Sequence, residues 1–178
     1  MAAEPRARVL VVGVGNVLHG DDGFGVELAW RLAALSLPAG VKVMETGIGG
    51  MSLVQELMYG YDAVLVLDAH RSGGSPGTVR LLEPTLPDLS GLDPHALRDY
   101  FADTHYATPM RALGLLERLG RLPRRVAVIG CEPARHEAME IGLSPPVQAA
   151  LDIAQEMAIQ WMGHQLAPTL QGSQENRR

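Results

Sequence analysis

The chain has 178 residues, of which 47% are hydrophobic and 4% aromatic, and its 15 basic and 20 acidic side chains give a net charge of −5. This length suits one compact domain with an aliphatic core, and the acidic balance argues against nucleic acid as a partner. A single cysteine excludes an internal disulfide framework and a multi-cysteine zinc site, and it favours a reducing cytoplasm.

The first half of the chain predicts three strands, each followed by a turn. Short β-branched apolar runs are typical of strands that are buried on both faces, and longer segments with apolar periodicity predict the helices. Glycines interrupt the chain after the first and second strands, whereas the third runs directly into Asp68. In chain order, the predicted elements are strand 9–12, helix 26–35, strand 41–45, helix 51–58 and strand 63–67.

The second half predicts two further strands and two helices. These are strand 78–82, helix 110–119, strand 126–129 and helix 146–162. Thr108-Pro109 and Ser144-Pro145 are typical helix starts, a capping residue followed by proline. The connection over 83–104 has no firm periodicity, so we expect an irregular segment that is functional or mobile. The polar sequence from Gly163 onwards predicts a disordered tail over 163–178 and a single domain over 1–162.

Strands that alternate with helices predict an α/β fold, a three-layer α/β/α sandwich around a mostly parallel, twisted sheet of about five strands. The first residues lack the apolar core of a signal peptide, and no run approaches the roughly 18 apolar residues of a membrane span. We therefore expect no membrane insertion.

Polar side chains follow several of the predicted strands, and parallel strands bring these positions to one edge of the sheet. A carboxylate such as Asp68, directly after an apolar strand, is partly desolvated and needs a partner. Together with Asp22 after the first strand and His105 before a helix, it could hold a divalent ion. Asp68 could instead cap the next segment. Glu45, Cys131 and Glu132 belong to the same edge.

The turn after the first strand contains the residues that would support such a site. Gly13, Gly15 and Gly23 allow a tight bend over the sheet edge. Asn16 could lock the turn through its side-chain amide, and Asp21 could cap the helix or hold the loop.

Other interpretations of these residues remain open. His95 is an alternative to His105, and Cys131 could be a nucleophile or a small buried side chain. Gly13 and Gly15 also begin a dinucleotide-binding pattern, but that pattern requires glycine where Leu18 stands, and two aspartates would repel a pyrophosphate.

The chain resembles the hydrogenase maturation endopeptidases, proteases that process the large subunit of [NiFe] hydrogenases. The opening GVGNVLHGDDGFG is similar to the family signature GxGNxLxxDDGxG. Four later segments resemble family segments in the same order over roughly 9–158: VLVLDA, SPGTV, THYATPMRALGLLERLG and IGLSPPVQAAL.

This resemblance implies a nickel-binding triad of Asp22, Asp68 and His105, the first of which is glutamate in some members. The substrate would be the large-subunit precursor, which carries nickel, and the reaction would remove its C-terminal peptide in the last step of maturation. Nickel would arrive with the substrate, and zinc or cadmium could substitute for it. We expect a cytoplasmic monomer; a nucleotide-binding module and a non-catalytic nickel chaperone are the alternative functions.

Overall fold

The computed structural model describes residues 9–102, 108–135 and 139–167. Its framework is a five-stranded sheet in the order β2-β1-β3-β5-β4. The strands are β1 Val9–Val14, β2 Val41–Gly47, β3 Ala63–Ala69, β4 Val79–Leu82 and β5 Arg125–Cys131. The helices are α1 Phe24–Ala33, α2 Gly50–Leu57, α3 Pro94–Ala102, α4 Pro109–Arg118 and α5 Pro145–Leu166. A single 3₁₀ turn, Gly20–Gly23, precedes α1.

The sheet is mostly parallel, as predicted. Strand β1 pairs in parallel with β2 and β3, and β3 pairs in parallel with β5. Only the short edge strand β4 is antiparallel, and it pairs with β5. The carboxyl ends of the four parallel strands therefore meet at one edge, where ligands of open α/β sheets bind.

Alternate residues of the strands build two separate cores, one on each face of the sheet. On the first face, helices α1 and α5 cover Val11, Leu65 and Ile129. On the second face, helices α2 and α4 cover Val12 and Val66. The predicted three-layer sandwich is confirmed.

Close contact between α1 and the sheet depends on glycine. A Cβ added to Gly25, in the first turn of α1, would stand 2.0 Å from the carbonyl oxygen of Leu67. A Cβ on Gly13 would stand 2.3 Å from the carbonyl oxygen of Gly25. Any side chain at either position would push the helix outwards, so these two glycines fix how closely the β1–α1 turn lies over the sheet.

Several predicted boundaries are wrong. Strand β3 continues through Asp68 to Ala69, so this aspartate lies within the strand and pairs in register with Gly130 of β5. Helix α5 ends at Leu166, so residues 163–166 are helical and the predicted tail began too early. Leu166 packs against the first core, a tertiary contact that local composition did not indicate. Residues 168–178 lie outside the described residues. No helix within the described part of the chain is long and apolar enough to cross a membrane.

The connection over 83–104 is more ordered than predicted. Its helix α3 is capped by Asp93, whose Oδ1 accepts hydrogen bonds from the backbone N–H groups of His95 and Ala96 at 2.8 and 2.9 Å. The guanidinium of Arg118 donates to three carbonyl oxygens of the preceding segment, those of Leu89, Ser90 and Leu92. The Arg118 contacts come from α4, so periodicity within the connection could not indicate them.

Candidate functional site

The turn from Gly15 to Gly23, here called the first loop, folds back on itself. The backbone N–H of Asn16 donates to Oδ2 of Asp22 at 2.8 Å, and Oδ1 of Asn16 accepts from the N–H of Leu18 at 3.0 Å. Gly15 has a φ of 126°, and a Cβ there would stand 1.8 Å from the carbonyl oxygen of Asp22. The prediction that the Asn16 side chain locks the turn is confirmed. This geometry holds the Asp22 carboxylate over the end of β1.

Asp22 and Asp68 lie close enough to interact electrostatically. Burial, and then the charge of Asp22, raise the pKa of Asp68 to about 7, and a hydrogen bond from the Ala69 backbone opposes them. Asp68 alternates with Val64 and Val66, so it belongs to the face that α2 and α4 cover. The structure thus brings together two of the three predicted ligands. The pKa of Asp68 is raised because its carboxylate is poorly solvated and lies near a second carboxylate.

The third predicted ligand, His105, lies outside the described residues. The described chain resumes at Thr108, the N-cap of α4, whose hydroxyl oxygen accepts from the N–H of Arg111 at 3.4 Å. Among the described residues, no three His, Cys, Asp or Glu side chains are grouped so that they could hold a metal ion. The assignment of His105 therefore stays a prediction.

Asp21 has a role different from that of its neighbour Asp22. Its side chain is fully buried, and Oδ2 accepts from the backbone N–H groups of Ala134 and Arg135 at 2.8 and 2.9 Å. The N–H of Ser144 donates to Oδ1 at 2.6 Å, and the Ser144 hydroxyl donates to Oδ2 at 2.9 Å. Burial alone would raise the pKa of Asp21, but these hydrogen bonds outweigh it and lower the pKa. Asp21 therefore ties the first loop to the start of α5.

A second buried carboxylate, Glu132, organises the loop that follows Asp68. Its oxygens accept from the Ser72 hydroxyl at 2.6 Å and from the backbone N–H groups of Ser72, Gly73 and Gly74 at 2.8, 3.2 and 3.1 Å. These hydrogen bonds, led by the Ser72 hydroxyl, lower the pKa of Glu132 to about 2. The sequence placed Glu132 at the sheet edge without a role. The available sequence signal was an acidic residue directly after the fifth strand of the chain, together with a loop rich in glycine and serine after the third.

Replacing Glu132 by glutamine is expected to lower the melting temperature at pH 7. The amide keeps one acceptor oxygen and turns an NH₂ group towards backbone donors, so some N–H groups lose their partner. Because the pKa is depressed in the folded state, the carboxylate stabilises the fold above its ordinary pKa of 4.5, and this contribution is lost as the pH falls towards 2. Differential scanning fluorimetry measures the shift.

The matched control is Glu140→Gln, because Glu140 forms an ion pair with Arg135 at 2.6 Å in which both side chains are about half exposed. Surface pairs of this kind contribute little to stability. Equal melting temperatures for the two variants would contradict the role assigned to Glu132.

The remaining candidates do not supply an obvious nucleophile. Cys131 is fully buried, and its surroundings, chiefly through burial, raise the pKa of its thiol to about 11, which favours the small-hydrophobe interpretation. The Ser72 hydroxyl donates to Glu132. His70 and His95 are both exposed. Two cavities, of about 460 and about 400 Å³, are both lined by Arg125 and Val126 at the opposite end of β5, and neither includes Asp22 or Asp68.

Comparison with known proteins gives a consistent result. A family model described as "Hydrogenase maturation protease" matches residues 26–161, a range that includes Asp68 and His105 and begins after Asp22. The hydrogenase expression/formation protein HupD of Rhodobacter capsulatus is 33% identical over 156 residues, which cover 86% of this chain and 70% of HupD.

Two solved structures share the fold. The hydrogenase maturating endopeptidase HybD from E. coli superposes with a TM-score of 0.72 at 27% identity, covering 88% of this chain and 93% of HybD. The hydrogenase 2 maturation peptidase from a Thaumarchaeota archaeon has a TM-score of 0.61 at 32% identity and covers 88% and 98% of the two chains.

Proposed function

Because the chain belongs to the hydrogenase maturation protease family, whose members are endopeptidases, we propose that it recognises nickel in the precursor of a [NiFe] hydrogenase large subunit. It then removes the C-terminal peptide of that precursor in the last step of maturation. Nickel is part of the substrate in this proposal and reaches the protease already bound to the precursor.

The observation that carries the proposal is the pair of carboxylates, Asp22 and Asp68, at the carboxyl end of the parallel sheet. Within the part of the chain that the structure describes, the N–H of Asn16 donates to Oδ2 of Asp22, which leaves Oδ1 for coordination. Burial first, and then the charge of Asp22, raise the pKa of Asp68, so a cation placed between the two carboxylates would relieve both the desolvation and the repulsion. His105 would add an imidazole, and this donor set suits a borderline divalent ion such as nickel. Zinc or cadmium would fit the same donors.

The residues of this chain would act mainly by positioning two carboxylates against the metal of the precursor. The first loop holds Asp22, and β3 holds Asp68, so that both approach the metal of the precursor from a rigid support. Bound nickel can polarise a nearby carbonyl group or activate water. Asp68, with a pKa of about 7, gives up its proton on coordination.

Mass spectrometry of the precursor tests this function directly. We expect a nickel-loaded precursor to lose the mass of one C-terminal peptide after incubation with this protein, and a nickel-free precursor to keep its mass. Binding without a change in mass would instead support a nickel chaperone. In a thermal-shift assay, stabilisation by NAD but not by nickel, zinc or cadmium would support the nucleotide-binding alternative.

We also propose that the protein works in the cytoplasm as a monomer. The single free cysteine, which is buried, supports the reducing compartment. Sedimentation velocity would detect a dimer and contradict the second part of this proposal.

A further inference from the structure

We propose that five exposed apolar side chains around the first loop form the surface on which the precursor docks. This surface, here called the apolar rim, consists of Leu18, Ile48, Met51, Met139 and Ile141. The inference rests on the proposed function, and it adds which part of this chain contacts the protein substrate beyond the proposed nickel ligands.

Three of these side chains are brought together by Glu140. Its backbone N–H donates to the carbonyl oxygen of Leu18 at 3.0 Å, and its carbonyl oxygen accepts from the N–H of Gly20 at 2.7 Å. Met139 and Ile141 flank Glu140, so they lie beside Leu18 although they are more than a hundred residues away in sequence. Their side chains are 81% and 84% exposed, and that of Leu18 is 48% exposed.

The other two side chains border the first loop on its β2 side. The N–H of Gly15 donates to the carbonyl oxygen of Gly47 at 3.0 Å, which places Ile48 next to the start of this loop. Ile48 is 68% exposed, and Met51, in the first turn of α2, is 42% exposed. The apolar rim thus has members on both sides of the loop that carries Asp22.

The chemistry of the apolar rim indicates an apolar protein surface as its partner. Glu140 forms an ion pair with Arg135, so these two described charged side chains beside Leu18 neutralise each other. Exposure of isoleucine, leucine and methionine side chains to water is unfavourable, and covering them with an apolar partner surface lowers the free energy. The backbone at Leu18, Met139 and Ile141 is held by the hydrogen bonds of Glu140, which lowers the entropic cost of docking at these three residues.

The position of the apolar rim selects the precursor as the occupant. Leu18 and Asp22 belong to the same loop, in which Asn16 hydrogen-bonds to both, so the apolar rim adjoins the proposed nickel-recognition site. An endopeptidase must bring the body of its substrate against this edge of the sheet before the substrate's metal can reach Asp22 and Asp68. A second copy of this chain on the same surface would cover that edge and exclude the precursor.

The test compares two triple variants of the full chain. The rim variant combines Ile48→Gln, Met139→Gln and Ile141→Gln. The matched control combines Leu119→Gln, Ile153→Gln and Ile159→Gln, three exposed apolar positions outside the apolar rim, the first at the C-cap of α4 and the other two on α5. Steady-state processing of the nickel-loaded precursor gives kcat and KM for each. We expect the rim variant to lose about 100-fold in kcat/KM, mainly through KM, because each exposed apolar side chain that the precursor covers would contribute about a factor of five through its buried apolar area. The control should stay within about twofold of the wild type.

The outcomes separate this inference from the proposed function. Absence of processing by the wild-type protein would overturn the proposed function and the docking surface with it. Normal processing by the wild type, with an unchanged KM in a folded rim variant, would overturn only the docking surface. A wild-type dimer in sedimentation velocity that the rim substitutions dissociate would show that a second copy covers the surface, and would also overturn the inference.

Discussion

Replacing Asp68 by asparagine is expected to abolish processing of the precursor and, at the same time, to stabilise the free protease above pH 7. The amide cannot supply the negative charge that a nickel ligand needs, so we expect a loss of at least about 10³-fold in kcat/KM, the scale of removing about 4 kcal/mol of transition-state stabilisation. The stability gain arises because the Asp68 carboxylate, partly buried beside Asp22, is unfavourable in the folded state when ionised.

The sign of the pH dependence follows from the raised pKa. Asp68 ionises near pH 7 in the folded protein and near its ordinary value of 3.8 in the unfolded chain. The folded state therefore loses stability as the pH rises from about 4 through 7, and the asparagine variant is spared this loss. One pKa unit corresponds to about 1.4 kcal/mol, so after partial relaxation we expect a gain on the order of 2 kcal/mol at pH 8 and little difference below pH 4.

Urea denaturation at several pH values, together with the mass-spectrometric assay, measures both effects. Asp22→Asn and His105→Ala should also stop processing while leaving the fold intact. An Asp68→Asn variant that processes the precursor at the wild-type rate would disprove the proposed ligand set. If the Asp68→Asn variant were inactive and also less stable than the wild type at pH 8, its loss of activity would show only that Asp68 supports the fold.

Replacing Asp21 by asparagine should instead destabilise the protein strongly. Oδ2 of Asp21 accepts three hydrogen bonds in a fully buried position, and the NH₂ group of asparagine would face these donors if Oδ1 kept its contact with Ser144. Buried donors without a partner cost about 1–3 kcal/mol each, so we expect a loss of about 3 kcal/mol in the free energy of unfolding. Because the pKa of Asp21 is lowered, its contribution is present above the ordinary value of 3.8 and disappears as the pH falls below it.

The control for this loss is Asp152→Asn, because the ion pair of Asp152 with Arg31 at 2.7 Å is on the surface and the Asp152 side chain is 80% exposed. We expect this change to cost less than about 1 kcal/mol. Equilibrium unfolding in urea at pH 7 compares the two variants. A similar small loss in both would show that the buried hydrogen bonds of Asp21 contribute no more than a surface pair.

Much of the architecture could be predicted from local sequence. Strands such as 9–12 and 63–67 are short apolar runs, and they alternate with segments of helical apolar periodicity, so the sequence predicts a parallel sheet with both faces covered. The connection over 83–104 was not predictable in the same way. Its order depends on Arg118, whose side chain reaches back to three carbonyl groups from a later helix.

The sequence by itself determined the fold class and the position of Asp22 and Asp68 at one edge of the sheet, because both follow from periodicity and from the geometry of parallel strands. Only the tertiary structure decided how the adjacent Asp21 and Asp22 differ. Side by side in one turn, the two residues are chemically identical. The donors that stabilise the buried Asp21 carboxylate come from Ala134, Arg135 and Ser144, which are 113, 114 and 123 residues further along the chain. Asp22 receives its hydrogen bond from within the first loop and remains beside Asp68. Long-range hydrogen bonds of this kind leave no local pattern, so their partners become visible only when the chain is folded.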